Sequence, residues 1–237
     1  IKKILLGILI GLFVVAGAFV TYILLSWDKI YDVPYPDLQV TADSTVIARG
    51  KYLVHGPAHC SNCHVSSFAD MVSADQGKVT PLKGGAPFPL GPLGTMYIPN
   101  LTPDPNTGTG RYTDGQLFRM MRHVVKPDGT AALSVLMPFW NMADEDLVAV
   151  VSYLRTMAPV KNDVPDNDWT FVGKAVRVLA SSFQPISDPN PAPVSPPMEA
   201  TIARGEYVAR YVANCVGCHT ARDPMTFEAI GPEYAGG

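Results

Sequence analysis

Two segments of the chain, 47–65 (IARGKYLVHGPAHCSNCHV) and 202–220 (IARGEYVARYVANCVGCHT), align without a gap at an offset of 155 residues. Nine of the 19 positions are identical, and only three of those belong to the Cys-x-x-Cys-His element near the end of each segment. The duplication therefore covers a whole helix-plus-motif unit, including Gly50/Gly205 and Tyr52/Tyr207. At this period, repetition means duplicated domains rather than a solenoid. All four cysteines fall in the two motifs, Cys60/Cys63 and Cys215/Cys218, each followed at once by a histidine, His64 or His219.

C-x-x-C-H is the attachment motif of c-type haem. Two thiols one turn apart can add to the two vinyl groups on one porphyrin edge. The following histidine is then held beneath the ring as the proximal iron ligand. A zinc site would bring its C-x-x-C pairs about 12–20 residues apart, far closer than Cys63 and Cys215. A disulfide or a thioredoxin-type redox pair leaves the two histidines at identical spacing unexplained. The motifs thus predict two covalently bound haem c groups, with His64 and His219 on the irons.

A sixth ligand must come from elsewhere. For the first haem the strongest candidate is Met137 in Leu136-Met137-Pro138, where a proline-flanked loop could aim a thioether at the metal. Methionine ligation raises the potential relative to two histidines and suits electron transfer. The rivals are Met142, Met96, Met120, Met121, His55, His59 and His123. Behind His219 only 18 residues remain, and Met225 sits too close to its histidine to reach the opposite face. The expectation is that the chain breaks off inside a second domain. A five-coordinate iron or a ligand from another chain are the alternatives.

Ile4 to Trp27 carries no charged residue. As a helix these residues would extend about 36 Å, enough to cross a bilayer core. The run exceeds the 7–15 apolar residues of a cleavable signal, so it reads as a retained anchor. Lys2 and Lys3 precede it, which puts the N-terminus in the cytoplasm and everything after Trp27 outside, where c-type haem is normally attached. Gly7 and Gly11 form a weak helix-packing notch.

The chain divides into five stretches: anchor 1–27, tether 28–42, a first haem domain 43–184, a proline-rich linker 185–200, and the start of a second haem domain, 201–237. Prolines 34 and 36 keep the tether extended, and 15 residues reach at most about 50 Å. Asp43 and Ser44 are N-cap residues for a helix to about Val54. Thr113-Asp114-Gly115-Gln116 is a capping box opening a helix to about Val125. Ala143 to Met157 is the clearest helix: acids fill its first turn, Arg155 lies in its last, and Leu147, Val150, Val151 and Leu154 share a face. The stretch 65–111 reads as loop, and no strand is evident. With 47% apolar residues and a net charge of −3, the chain is neither disordered nor a nucleic-acid binder.

Longer segments carry a resemblance. ARGKYLVHGPAHCSNCH, GGAPFPLGPLGTMYIPNLTPDPNTGTGRYTDGQLFRMMRHVVKPDG and MPFWNMADEDLVAVVSYLRTMAPV cover most of 47–160. They resemble the multi-haem cytochrome c subunits of membrane-bound bacterial alcohol, aldehyde and gluconate dehydrogenases. The resemblance implies a mainly α fold, an N-terminal transmembrane helix followed by tandem class I-like cytochrome c domains. It makes Met137 the axial methionine of the family's MP motif. It places the Ile47–Val54 helix across the 143–157 helix, with Gly50 allowing close approach and Tyr52 and Tyr153 near the crossing. It offers Asn100 and Arg111 as partners for haem propionates. Ala235-Gly236-Gly237 resembles the opening of the second quoted segment.

The function these readings point to is a membrane-anchored dihaem c-type cytochrome. It would carry electrons on the periplasmic side from a quinol-oxidising complex or dehydrogenase to a terminal oxidase or other acceptor such as a soluble cytochrome, as a subunit of a membrane complex with no catalysis of its own. A haem enzyme such as a dihaem peroxidase, or a structural subunit of a respiratory or photosynthetic complex, is the alternative.

Overall fold

The computed structural model describes residues 2–191 and 194–236. Ala192 and Pro193 of the proline-rich stretch, and Gly237 of the terminal Ala-Gly-Gly, lie outside the described residues. The chain is mainly helical. Its first element, α1 (Lys2–Ser26), is an apolar helix with nearly every side chain exposed. Helices α2 (Ser44–His55), α5 (Asp114–His123) and α6 (Asp144–Thr156) follow the sequence closely, α2 and α5 starting at their expected caps and α6 at its acidic first turn, without a capping side chain. Asp43 accepts from the backbone N–H groups of Thr45 and Val46, which holds its carboxyl below the usual range. Thr113 and Gln116 form both halves of the capping box. Thr113→Ala is expected to cost about 1 kcal/mol of stability, measured by denaturant titration.

The core is built on the crossing of α2 and α6. An added Cβ on Gly50 would meet the Ala149 carbonyl oxygen at 1.9 Å and Tyr153 Cβ at 2.7 Å, so the helices touch backbone to backbone. The ring that meets Tyr153 is His55, edge-on, with Nε2 2.9 Å from the phenol oxygen. Tyr52 is 45% exposed and turns away from the crossing it was expected to line. Leu53, Val54, Phe118, Leu147, Val150 and Val151 fill the space between α2, α5 and α6.

Two features depart from the sequence reading. The stretch read as loop contains α4 (Phe68–Asp75), capped by Ser67. It also supplies two strands of a small antiparallel sheet, β1 (Pro87–Pro89) and β2 (Gly94–Tyr97), joined by β3 (Asp168–Trp169). Phe88 pairs with Met96 and Thr95 with Asp168. Strands of three, four and two residues are too short to show an alternation, and prolines confine β1 to the edge. Immediately after β3 comes α7 (Phe171–Leu179), capped by Thr170.

The tether is extended, and neither it nor the described residues of the proline-rich stretch hang free. Tyr31 donates its N–H to Gly129 O and its hydroxyl to Gln184, and Arg119 lies over the Tyr35 ring. Ile186 and Asn190 bond through their backbone to His123 and Asn141. Ser195 donates its N–H to Glu145, and its hydroxyl accepts from Arg49 and Arg204. Beyond it lie α8 (Ile202–Tyr207) and a π-helical turn, Val208–Val212. Tyr207 and Val212 are buried in the same core as α2 and α6.

Candidate functional site

The site begins with a backbone turn. His59 has φ +54°, a left-handed conformation uncommon outside glycine. It swings the chain into the single turn α3 (Cys60–Cys63), closed by the bond from His64 N–H to Cys60 O. Spacing i, i+3 puts both thiols on one side of that turn. His64 is buried, and its Nδ1 lies 2.9 Å from Pro99 O. A carbonyl only accepts, so Nδ1 carries the proton and Nε2 keeps its lone pair, the tautomer a metal needs.

Pro99 is held by the loop that follows. Asn100 Oδ1 accepts from the N–H and hydroxyl of Thr102, and its Nδ2 donates to Val160 O and Thr107 Oγ1. Asp104 accepts from Asn106 and Thr107, which lowers its carboxyl pKa. Gly108 allows the closure, since a Cβ there would sit 2.0 Å from Thr102 O. Asn100 is therefore saturated by its own loop and is not available to a propionate. Arg111 is exposed and lies over the Tyr112 ring.

Cys60, Cys63 and His64 open onto an apolar slot. Its other walls are Leu101 and Thr109, Leu117, Met120 and Met121 of α5, Val150, Val151 and Leu154 of α6, and the turn carrying Leu136, Met137 and Phe139. The slot contains no carboxylate and no amine. Burial pushes the Cys60 thiol up to about 12 and raises that of Cys63, and burial lowers the His64 imidazole against the opposing bond to Pro99. An apolar slot with two thiols and an imidazole on one wall and a thioether among the others fits a flat, largely apolar macrocycle with a central metal.

The other sixth-ligand candidates separate by position. Met142 is fully buried in the core and does not line the slot, and Met96 sits in β2. His55 is engaged with Tyr153 and His123 with Ile186 O. His59 lines the slot one residue before Cys60, on the same wall as His64. Met137 ends the 3₁₀ turn Ser134–Leu136 and shares the slot with Met120 and Met121.

The second motif repeats the backbone of the first. Asn214, the counterpart of His59, has φ +50° and starts α9 (Cys215–Cys218). His219 N–H bonds to Cys215 O as His64 N–H does to Cys60 O. His219 O accepts from Gly236 N–H as His64 O accepts from Gly84 N–H, so Gly236 occupies the place its resemblance to the glycine pair 84–85 predicts. The surroundings differ: Cys218 and His219 are exposed, and Met225 lies in a turn organised by Asp223.

No protein-family model matches the chain. It is 31% identical over 209 residues to the cytochrome c subunit of alcohol dehydrogenase (quinone) from Gluconacetobacter polyoxogenes, covering 83% of this chain and 41% of that protein. It is 30% identical over 195 residues to the cytochrome c subunit of gluconate 2-dehydrogenase from Pantoea cypripedii, covering 76% and 39%. A diheme cytochrome c-type protein of Cereibacter sphaeroides is 23% identical over 181 residues, with 75% and 58% covered. The chain is a homologue of dehydrogenase cytochrome c subunits. It spans about two fifths of the length of the two subunits above.

In this cytochrome c homologue one cluster escaped sequence reasoning. Asp146, fully buried, accepts from Arg49 and from the Tyr207 hydroxyl, and Tyr207 in turn accepts from Ala143 N–H. Burial and the Asp146 carboxylate raise the Tyr207 phenol. Tyr207 was flagged by the repeat as a partner position of Tyr52, but nothing in the sequence joins it to Asp146, 61 residues away.

Proposed function

We propose that the chain is a membrane-anchored c-type cytochrome that passes electrons through two tandem haem units outside the cytoplasmic membrane. The observation that carries this reading is the slot shared by Cys60, Cys63, His64 and Met137. There Cys60 and Cys63 would hold haem c covalently, and His64, through Nε2, and Met137 would supply its iron ligands. Haem c would supply a one-electron iron couple. Apolar side chains from α5 and α6 exclude water and raise the potential, and the thioether raises it further. Cys215, Cys218 and His219 would hold a second haem c. The names of the relatives support a place in a dehydrogenase complex, with a dehydrogenase or quinol-oxidising complex as donor and a terminal oxidase or soluble cytochrome as acceptor. Lys2 and Lys3 ahead of α1 favour a cytoplasmic N-terminus and haem units in the periplasm of a bacterial inner membrane.

Met137→Ala tests the ligand set. The oxidised protein is expected to lose its sulfur-to-iron absorption band and the midpoint potential of one haem to fall. Met120→Ala and Met121→Ala should keep the band. A band that survives Met137→Ala and disappears in either of the others would reassign the sixth ligand.

A further inference from the structure

Helix α7 packs Val176 against the Ala180–Phe183 cluster yet leaves a second apolar face uncovered. Its inward face carries Gly173, whose α-carbon packs against Leu93 O, and Arg177. Arg177 donates to Trp27 O and Ala131 O and stacks against Trp169 and Phe183. The outward stripe at helical spacing is Phe171, Ala175 and Leu179, flanked by Val172, with no charge on it. Phe171 is 43%, Val172 42% and Leu179 64% exposed.

The position of this helix identifies what covers it. α7 packs against α1, and Lys174 Nζ lies 4.6 Å from the centre of the Trp27 ring, just past the end of α1. Ile30, 72% exposed, is three residues further on. The uncovered apolar surface of α7 is thus continuous with the exposed apolar surface of α1. Tryptophan and lysine at the junction are the residue types that sit at headgroup level. A helix of this pattern lies in the plane of the interface with its apolar face in the acyl boundary.

We propose that α7 is a second membrane contact, an interfacial helix that inserts Phe171, Val172 and Leu179 into the same leaflet that α1 leaves. The inference rests on α1 being a membrane span. It gives the haem unit a fixed attitude over the bilayer, because α7 is tied to the body through Arg177 and Thr170.

The test uses the full holo-chain in phospholipid vesicles containing a lipid with a photoactivatable diazirine near its headgroup, with adducts located by peptide mass. Adducts on both the α1 peptide and the 171–179 peptide are expected. In the double variant Phe171→Asp/Leu179→Asp, adducts on 171–179 should fall about tenfold, with those on α1 unchanged and haem content retained. Adducts on α1 alone in the parent protein would overturn the proposal and leave the anchor intact, as would a protein cross-link at 171–179 without lipid. Adducts on neither would remove the anchor, and the proposal with it.

Discussion

Replacing Cys60 and Cys63 together by alanine is expected to unfold segment 43–184, not merely to silence it. The slot between α3, α5 and α6 is walled by Leu117, Phe139, Val150, Val151 and Leu154. All five are buried side chains, and the covalent haem of the proposed cytochrome would pack against them as part of the core. Each contributes about 1.5–3 kcal/mol when fully buried, against a typical net stability of about 5–15 kcal/mol. Losing the group therefore removes a large part of the margin. Circular dichroism should show reduced helix and limited proteolysis should cut inside 43–184. Intact mass should show one haem fewer. The matched pair Cys215→Ala/Cys218→Ala should also lose one haem and leave 43–184 protease-resistant, because Cys218 and His219 of the second motif are exposed. A first-motif double variant that stays helical and protease-resistant would contradict the account.

Gly50→Val is expected to be among the most disruptive single substitutions in the chain. Any Cβ at this position meets the Ala149 carbonyl oxygen at 1.9 Å, and that oxygen belongs to the α6 backbone. No rotamer change relieves the contact, so α2 and α6 must separate and uncover Leu53, Val54 and Val150 together. Overpacking of a core costs about 1–3 kcal/mol where side chains can adjust. Here they cannot, and a loss above about 4 kcal/mol is expected. The denaturation midpoint and the haem yield should fall together. Gly205→Ala at the matched repeat position provides the contrast. Nothing lies within 4 Å of a Cβ there, and removing a helical glycine should leave stability unchanged or raise it by up to about 1 kcal/mol. Equal losses at the two positions would show that the crossing is not what Gly50 serves.

The parts of the fold that were readable in the sequence are those fixed by local chemistry. Asp43, Thr113 and the acid-rich start of α6 mark helix ends because caps act within one turn. The repeat foretold a matching helix and motif in each half, and the structure gives each motif the same one-turn helix. What sequence reasoning missed depends on partners far along the chain. β2 exists because β3, more than 70 residues later, completes it. Asn100, taken as a propionate ligand on resemblance, is consumed by Thr102, Thr107 and Val160. α7 was overlooked because its nine residues carry the apolar stripe on the outside. Met137 was legible as a proline-flanked thioether, but its company of Met120 and Met121 on the slot wall was not.

The pinning of Ile186, Asn190 and Ser195 has a consequence for timing. Arg49 and Arg204 occupy matched places in the two repeats, and both bond the Ser195 hydroxyl. Tyr207 locks onto Asp146, and Phe227 packs edge-on against Phe183. A swinging arm would sample many separations between the two motifs, and transfer would wait on a diffusive encounter. Held this way, the two motifs keep one separation, and in the proposed dihaem cytochrome distance and driving force alone would set the speed of a relay between them.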